Sequence, residues 1–183
     1  IEFVHSKQFE VTGSMHSLFV AKKYLKENFL LLESDLLYES RALRSVINFE
    51  GPDVILASGE TSSGDEVYIY GEKLEKQSGT ITSGSIVRGE ITAISKKQFP
   101  GLSVQGELVG ISKLSLNLLN RMCEYHLAHP EFPCKRHYEE YISDLCSKTE
   151  IPFLRVGDLV WTEIDNQSHY ERALKEILPK LIK

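Results

Sequence analysis

The chain has 183 residues, enough for one domain, and 42% of them are hydrophobic, which suffices for a sizeable core. A formal net charge of −5 gives no general attraction for nucleic acid or an anionic membrane, so neither is expected as a partner, and any phosphate ligand needs local neutralisation. No apolar run approaches the roughly 20 residues of a membrane span and no signal-peptide pattern opens the chain, so a soluble cytoplasmic protein is the simplest expectation.

Ile1 to His5 is β-rich, and Thr12-Gly13-Ser14 supplies a flexible turn with cap-type residues. The spacing of Met15, Leu18, Phe19, Ala21 and Leu25 predicts a helix over 15–27, with Lys22, Lys23 and Lys26 on its wetter side. Phe29 to Leu32 then reads as a buried parallel strand that stops at Glu33 and Asp35, and open α/β sheets place their ligands at the carboxyl ends of such strands. Ser40 to Ile47 has helical spacing, Gly51-Pro52 breaks it, and Asp53 to Ser58 is a further strand. The alternation of β and α argues for a mainly parallel sheet with helices on its faces.

After the turn Ser62-Ser63-Gly64-Asp65 the pattern changes. Val67 to Tyr70 alternates, 71–84 carries turn signals, and Ser85 to Ile94 completes an antiparallel meander, so a small β insertion over about 60–105 is expected. Lys96-Lys97 reads as a solubilising turn. Gly106 to Lys113 is a buried strand whose two glycines permit close approach by a ligand or another strand. Helices are expected over 114–127 and 135–148, parted by the break from Pro130 to Pro133, with a strand at 151–156. Cys123, Cys134 and Cys146 are an odd number without a CxxC pair, and they read as reduced thiols.

Leu159 to Asp165 repeats the design of an apolar strand closing on carboxylates. Ser168-His169-Tyr170-Glu171 matches a capping box that launches a last helix with Ala173, Leu174, Ile177 and Leu178 on its core side. Asp35 and Asp165 can share a site only if their strands lie in one sheet. The expected occupant is then a hard divalent cation, since Mg²⁺ is typically held by one or two carboxylates and completed by substrate phosphates. The local alternative is that Asp35 starts a turn and Asp165 precedes a helix N-terminus.

Five motifs carry a resemblance when taken in order: Ser14-Met15-His16-Ser17-Leu18, Leu32-Glu33-Ser34-Asp35, the stretch from Gly106 to Ile111, His137-Tyr138-Glu139-Glu140, and Trp161-Thr162-Glu163-Ile164-Asp165. Together they resemble the nucleotidyltransferase superfamily, and most closely the cytidylyltransferases acting on phosphocholine or 2-aminoethylphosphonate. The resemblance implies an α/β fold of the glycosyltransferase-A-like kind: a Rossmann-like, mainly parallel sheet flanked by helices, with a small antiparallel β insertion. It implies that Asp35 and Asp165 are catalytic and bind Mg²⁺ with Glu163 close by, and that Ser14 and Ser17 lie near the nucleotide. Glu107, Tyr138 and Glu139 are then expected on the acceptor side, Tyr138 and Glu139 holding a cationic group through a ring face and a carboxylate. Trp161 either stacks on the ligand or closes the core. The implied partners are CTP or another nucleoside triphosphate and a small phosphorylated or phosphonylated amino alcohol.

Two departures qualify the resemblance. Glu66-Val67 stands where some members carry an aromatic cation-binding residue, which weakens choline and leaves a primary amine open. Nothing in 1–183 matches the family's glycine-rich, basic nucleotide loop, so the expectation is a nucleotidyltransferase domain lacking its N-terminal part, or a protein that has lost it. A sugar-phosphate nucleotidyltransferase and a non-catalytic nucleotide-binding or interaction remnant stay open as alternatives, as does association into a homodimer.

Overall fold

The computed structural model describes residues 1–61, 64–77 and 86–182, and the side chains of 73–77 lie outside the description. Part of the turn run expected over 71–84, together with Ser62 and Ser63, therefore falls outside it as well. Among the described residues eight strands are formed: β1 Phe29–Leu32, β2 Leu36–Tyr38, β3 Val54–Ser58, β4 Tyr68–Gln77, β5 Ile86–Ser95, β6 Val104–Leu114, β7 Pro152–Val156 and β8 Trp161–Glu163. The helices are α1 Ser14–Ala21, α2 Ser40–Ile47, α3 Leu116–Ala128, α4 Tyr138–Leu145, α5 Gln167–Arg172 and α6 Leu178–Leu181. Six strands make one sheet in the order β1-β6-β3-β7-β5-β4, and β2 with β8 makes a separate two-stranded ribbon.

Alternation along the central strand β3 divides the core in two. Ile55 and Ala57 face a cluster with Met15, Leu18, Leu119, Met122, Tyr141 and Ile142, contributed by α1, α3 and α4. Val54 and Leu56 point the other way, onto Ala42 and Val46 of α2 and Trp161 of β8. All five residues of β3 are buried, as a strand covered on both faces requires.

This layered α/β arrangement is the expected fold, but its pairings are more mixed than a mainly parallel sheet. Among the described residues only β3 and β7 run parallel; β1, β4 and β5 each join their neighbours antiparallel. The meander strands are hydrogen-bonded into the main sheet, β5 against β7 and β4 against the start of β6. The strand Phe29–Leu32 is also corrected. It lies at the sheet edge, antiparallel to β6, and leaves Leu30 and Leu32 exposed, so its apolar run does not signify burial on both faces.

Several boundaries shift for local reasons. Residues 1–5 form no strand, and Ile1 and Phe3 stand in solvent because β-propensity finds no partner edge there. The first helix ends at Ala21 and tightens into a 3₁₀ turn, Lys22–Tyr24. The last helix is capped by Asn166 rather than Ser168, the Asn166 side chain accepting the His169 N–H at 3.0 Å. Its middle widens to a π segment, Ala173–Ile177, just before Pro179, which has no N–H to continue the ladder. The three cysteines are free. Among the described residues no helix is long and apolar enough to cross a membrane.

Candidate functional site

The two acid-tipped segments meet through their backbones. Leu36 is paired with Glu163 in the β2–β8 ribbon, and one step beyond it the Ile164 N–H donates to the Asp35 carbonyl at 2.9 Å. Asp35 and Asp165, distant in sequence, thus come to the same end of the ribbon, one residue out of register, rather than into the main sheet.

The ribbon tip, the end of β1, the middle of β6 and the first turns of α1 and α4 line an open cavity of about 610 Å³. All nine residues singled out from the sequence line it: Ser14, Ser17, Asp35, Glu107, Tyr138, Glu139, Trp161, Glu163 and Asp165. Glu33, Asp65, Lys96 and His137 line it as well. Lys96, read from sequence as a solubilising turn residue, therefore faces the cavity, and with His137 it stands against seven carboxyl groups.

One wall is built on α4. Its N-terminus is closed by a capping box in which Glu140 accepts the His137 N–H at 2.7 Å. The Ser14 hydroxyl accepts the Tyr138 N–H at 3.2 Å and lies 3.2 Å from His137 Nδ1, which ties α1 to α4. Gly13 makes this junction possible, since a Cβ there would stand 2.2 Å from the Arg136 carbonyl oxygen. Tyr138 is buried and its phenol donates to Glu33 Oε1 at 2.8 Å. Burial raises the pKa of Glu33, and the Tyr138 hydrogen bond opposes that rise. Burial likewise pushes Glu139 up to about 7. Glu107 reaches about 7 for the same reason, although it accepts the Thr61 N–H at 2.7 Å and the Thr61 hydroxyl at 3.0 Å.

The glycines of β6 admit protein rather than a ligand. A Cβ on Gly106 would meet the Ser58 carbonyl oxygen of β3 at 2.6 Å, and one on Gly110 would meet Glu33 Oε2 at 2.6 Å. Gly110 also has φ +77°, a left-handed conformation that L side chains rarely adopt. Gly110→Ala is therefore expected to destabilise the protein by about 1–3 kcal/mol and to displace the Glu33 carboxylate. Chemical denaturation of the two forms checks this.

The second wall is acidic. Donor atoms of Asp65, Glu163, Asp165 and His169 all lie within 4.8 Å of one another. Glu163 is pushed up to about 8, first by burial and then by the charges of Asp65 and Asp165. The Asn166 cap starts α5 directly after Asp165 and turns the buried His169 back, so that its Nδ1 lies 3.7 Å from Asp165 Oδ2. The expected trio of Asp35, Glu163 and Asp165 is thus regrouped: Asp65 and His169 join the last two, and exposed Asp35 lines the same cavity outside the quartet. Three carboxylates and an imidazole are a donor set suited to a divalent cation, and the raised Glu163 reflects its burial beside the Asp65 and Asp165 charges.

No family model matches the sequence. Solved structures do resemble the fold. The inositol-1-phosphate CTP transferase from T. maritima superposes with a TM-score of 0.70 at 16% identity, over 97% of this chain and 65% of that one. A UDP-glucose pyrophosphorylase complexed with UDP-glucose gives 0.67 at 14%, over 94% and 64%. The CTP:phosphocholine cytidylyltransferase from Streptococcus pneumoniae gives 0.60 at 12%, over 94% and 67%. The chain thus spans about two thirds of the length of the structures it resembles, and what it has in common with them is the nucleotidyltransferase fold.

Proposed function

We propose that this chain forms the metal- and acceptor-binding part of a nucleotidyltransferase that moves a cytidylyl group from CTP to a small phosphorylated or phosphonylated amino alcohol, releasing pyrophosphate. The observation that carries the reading is the composition of the cavity. Residues from five separate motifs converge on it, with a divalent-cation donor set on one wall and the buried Tyr138 and Glu139 with the half-buried Glu33 on the other.

In this reading the acceptor's phosphate or phosphonate oxygen attacks the α-phosphorus of CTP in line, and pyrophosphate leaves. Little covalent work falls to the protein, so positioning and charge supply most of the catalysis. A divalent cation at Asp65, Glu163, Asp165 and His169, with Asp35 nearby, supplies positive charge that offsets that of the phosphates. Ser17 lies along the nucleotide. Ser14, whose hydroxyl is engaged by Tyr138 N–H, fixes the α1–α4 wall beside it. The acceptor's ammonium group goes to Glu139 and Glu33, whose carboxylates it pairs with, and Tyr138 sets the Glu33 orientation. Trp161, 5% exposed and packed with α2, chiefly closes the core while one edge reaches the cavity.

A sugar-phosphate acceptor is the second reading, favoured by the likeness to UDP-glucose pyrophosphorylase and by carboxylates that can accept sugar hydroxyls. Pyrophosphate release separates the two. CTP and UTP are each paired with phosphocholine, phosphoethanolamine, 2-aminoethylphosphonate and glucose 1-phosphate, using the chain and the full gene product. Release with CTP and an amino acceptor supports the first reading, and release only with glucose 1-phosphate supports the second. CTP binding by calorimetry without release from either protein points to a non-catalytic remnant.

A further inference from the structure

The quartet at the head of α5 includes a nitrogen donor. His169 is 8% exposed, and Asn166 holds its backbone so that the ring turns inward. Nε2 lies 3.7 Å from Asp65 Oδ2 and Nδ1 lies 3.7 Å from Asp165 Oδ2. Both gaps are wider than a hydrogen bond. The gap between Nε2 and Asp65 falls inside the roughly 4.2 Å spanned by two donors at about 2.1 Å on opposite sides of one ion. The Asp165 N–H also approaches Nδ1, but only at 3.5 Å, the limit of hydrogen-bond length.

Hard Mg²⁺ prefers oxygen ligands and retains its waters, whereas an imidazole raises affinity for first-row transition ions. We propose that Asp65, Glu163, Asp165 and His169 form a seat that takes a first-row transition dication, Mn²⁺ or one later in the series, in preference to Mg²⁺. His169 Nε2 is the selecting ligand. The inference deepens the metal seat of the reading above and changes its occupant. With Nε2 on the ion, the neutral ring carries its proton on Nδ1, so the long contact from the Asp165 N–H is given up and Nδ1–H faces the Asp165 carboxylate, 3.7 Å away, instead.

The test is direct Mn²⁺ binding to the purified chain without nucleotide, followed by loss of the EPR signal of free Mn²⁺ and then by competition with Mg²⁺. The expected result is one Mn²⁺ per chain, a nitrogen coupling in its pulsed EPR spectrum, and at most half displacement by an excess of Mg²⁺ on the order of a hundredfold. His169→Gln is expected to abolish the coupling and weaken Mn²⁺ binding about tenfold or more, leaving Mg²⁺ binding within about twofold. Native Mn²⁺ binding without nitrogen coupling, failure to bind Mn²⁺, or displacement by equimolar Mg²⁺ overturns the proposal. The coupling is read on the native protein, so a variant that misfolds leaves the test decisive. Because no nucleotide is present, failure here is distinct from failure of the transfer reaction, which pyrophosphate release reports separately.

Discussion

Asp165→Asn is expected to lower pyrophosphate release by a factor on the order of 10²–10³, while leaving the protein at least as stable to heat as the native form. The two halves of this result have one cause. Asp165 belongs to a cluster of acids, and its charge helps to push the neighbouring Glu163 up to about 8. Removing that charge relieves repulsion within the cluster and, in the proposed reaction, removes attraction for the cation that would offset the phosphates. The ribbon is joined by Ile164 N–H to Asp35 C=O, a bond that the substitution does not touch. Activity within about threefold of native would refute the role assigned to Asp165. Asp35→Asn is expected to lower the rate in the same direction.

The second large effect is a dependence of stability on pH. Glu139 is raised from its ordinary 4.5 to about 7 by burial, so the native state keeps a proton that the unfolded chain releases. Between roughly pH 4.5 and 7 the folded form binds more protons, and stability must fall as pH rises through that window. The full contribution is present below the unfolded pKa and is lost above the folded one. The shift corresponds to about 3 kcal/mol, or on the order of 5–10 °C in melting temperature between pH 5 and pH 8 for a chain of this size. Glu107 acts in the same direction. Glu139→Gln imitates the protonated acid and is expected to melt above the native protein at pH 8 and near it at pH 5. Equal melting curves at both pH values would remove the argument. A ligand bearing an ammonium group should recover stability at pH 8 in the native protein and much less in Glu139→Gln.

The sequence was most informative where local pattern and tertiary setting agree. Ser40–Ile47 forms the expected helix because its apolar residues fall on one face and Gly51-Pro52 bars continuation. Of the nine cavity residues, Asp35, Glu163 and Asp165 are conspicuous in the sequence because acids follow an apolar run at a strand end, whereas Ser14, Ser17, Glu107, Tyr138 and Glu139 stand out only through the order of the five motifs. Asp65 was not conspicuous, since an acid in a turn is common and carries no mark of its later neighbours. His169 looked like part of a capping box, and only the Asn166 cap, with the i,i+4 return onto Asp165, reveals its inward ring. Glu33 looked like the polar end of a strand; its burial depends on Gly110 and Tyr138, both remote in sequence. The edge position of β1 was equally hidden, because four apolar residues in a row read alike whether one side of the strand is covered or both.

The join between Asp35 and Ile164 has a bearing on how such a pocket changes over generations. The link runs through peptide groups alone, so the side chains at its tips can be exchanged without unpicking the scaffold that presents them. The ligands the cavity favours can therefore drift by single substitutions there while the architecture that presents them stands still.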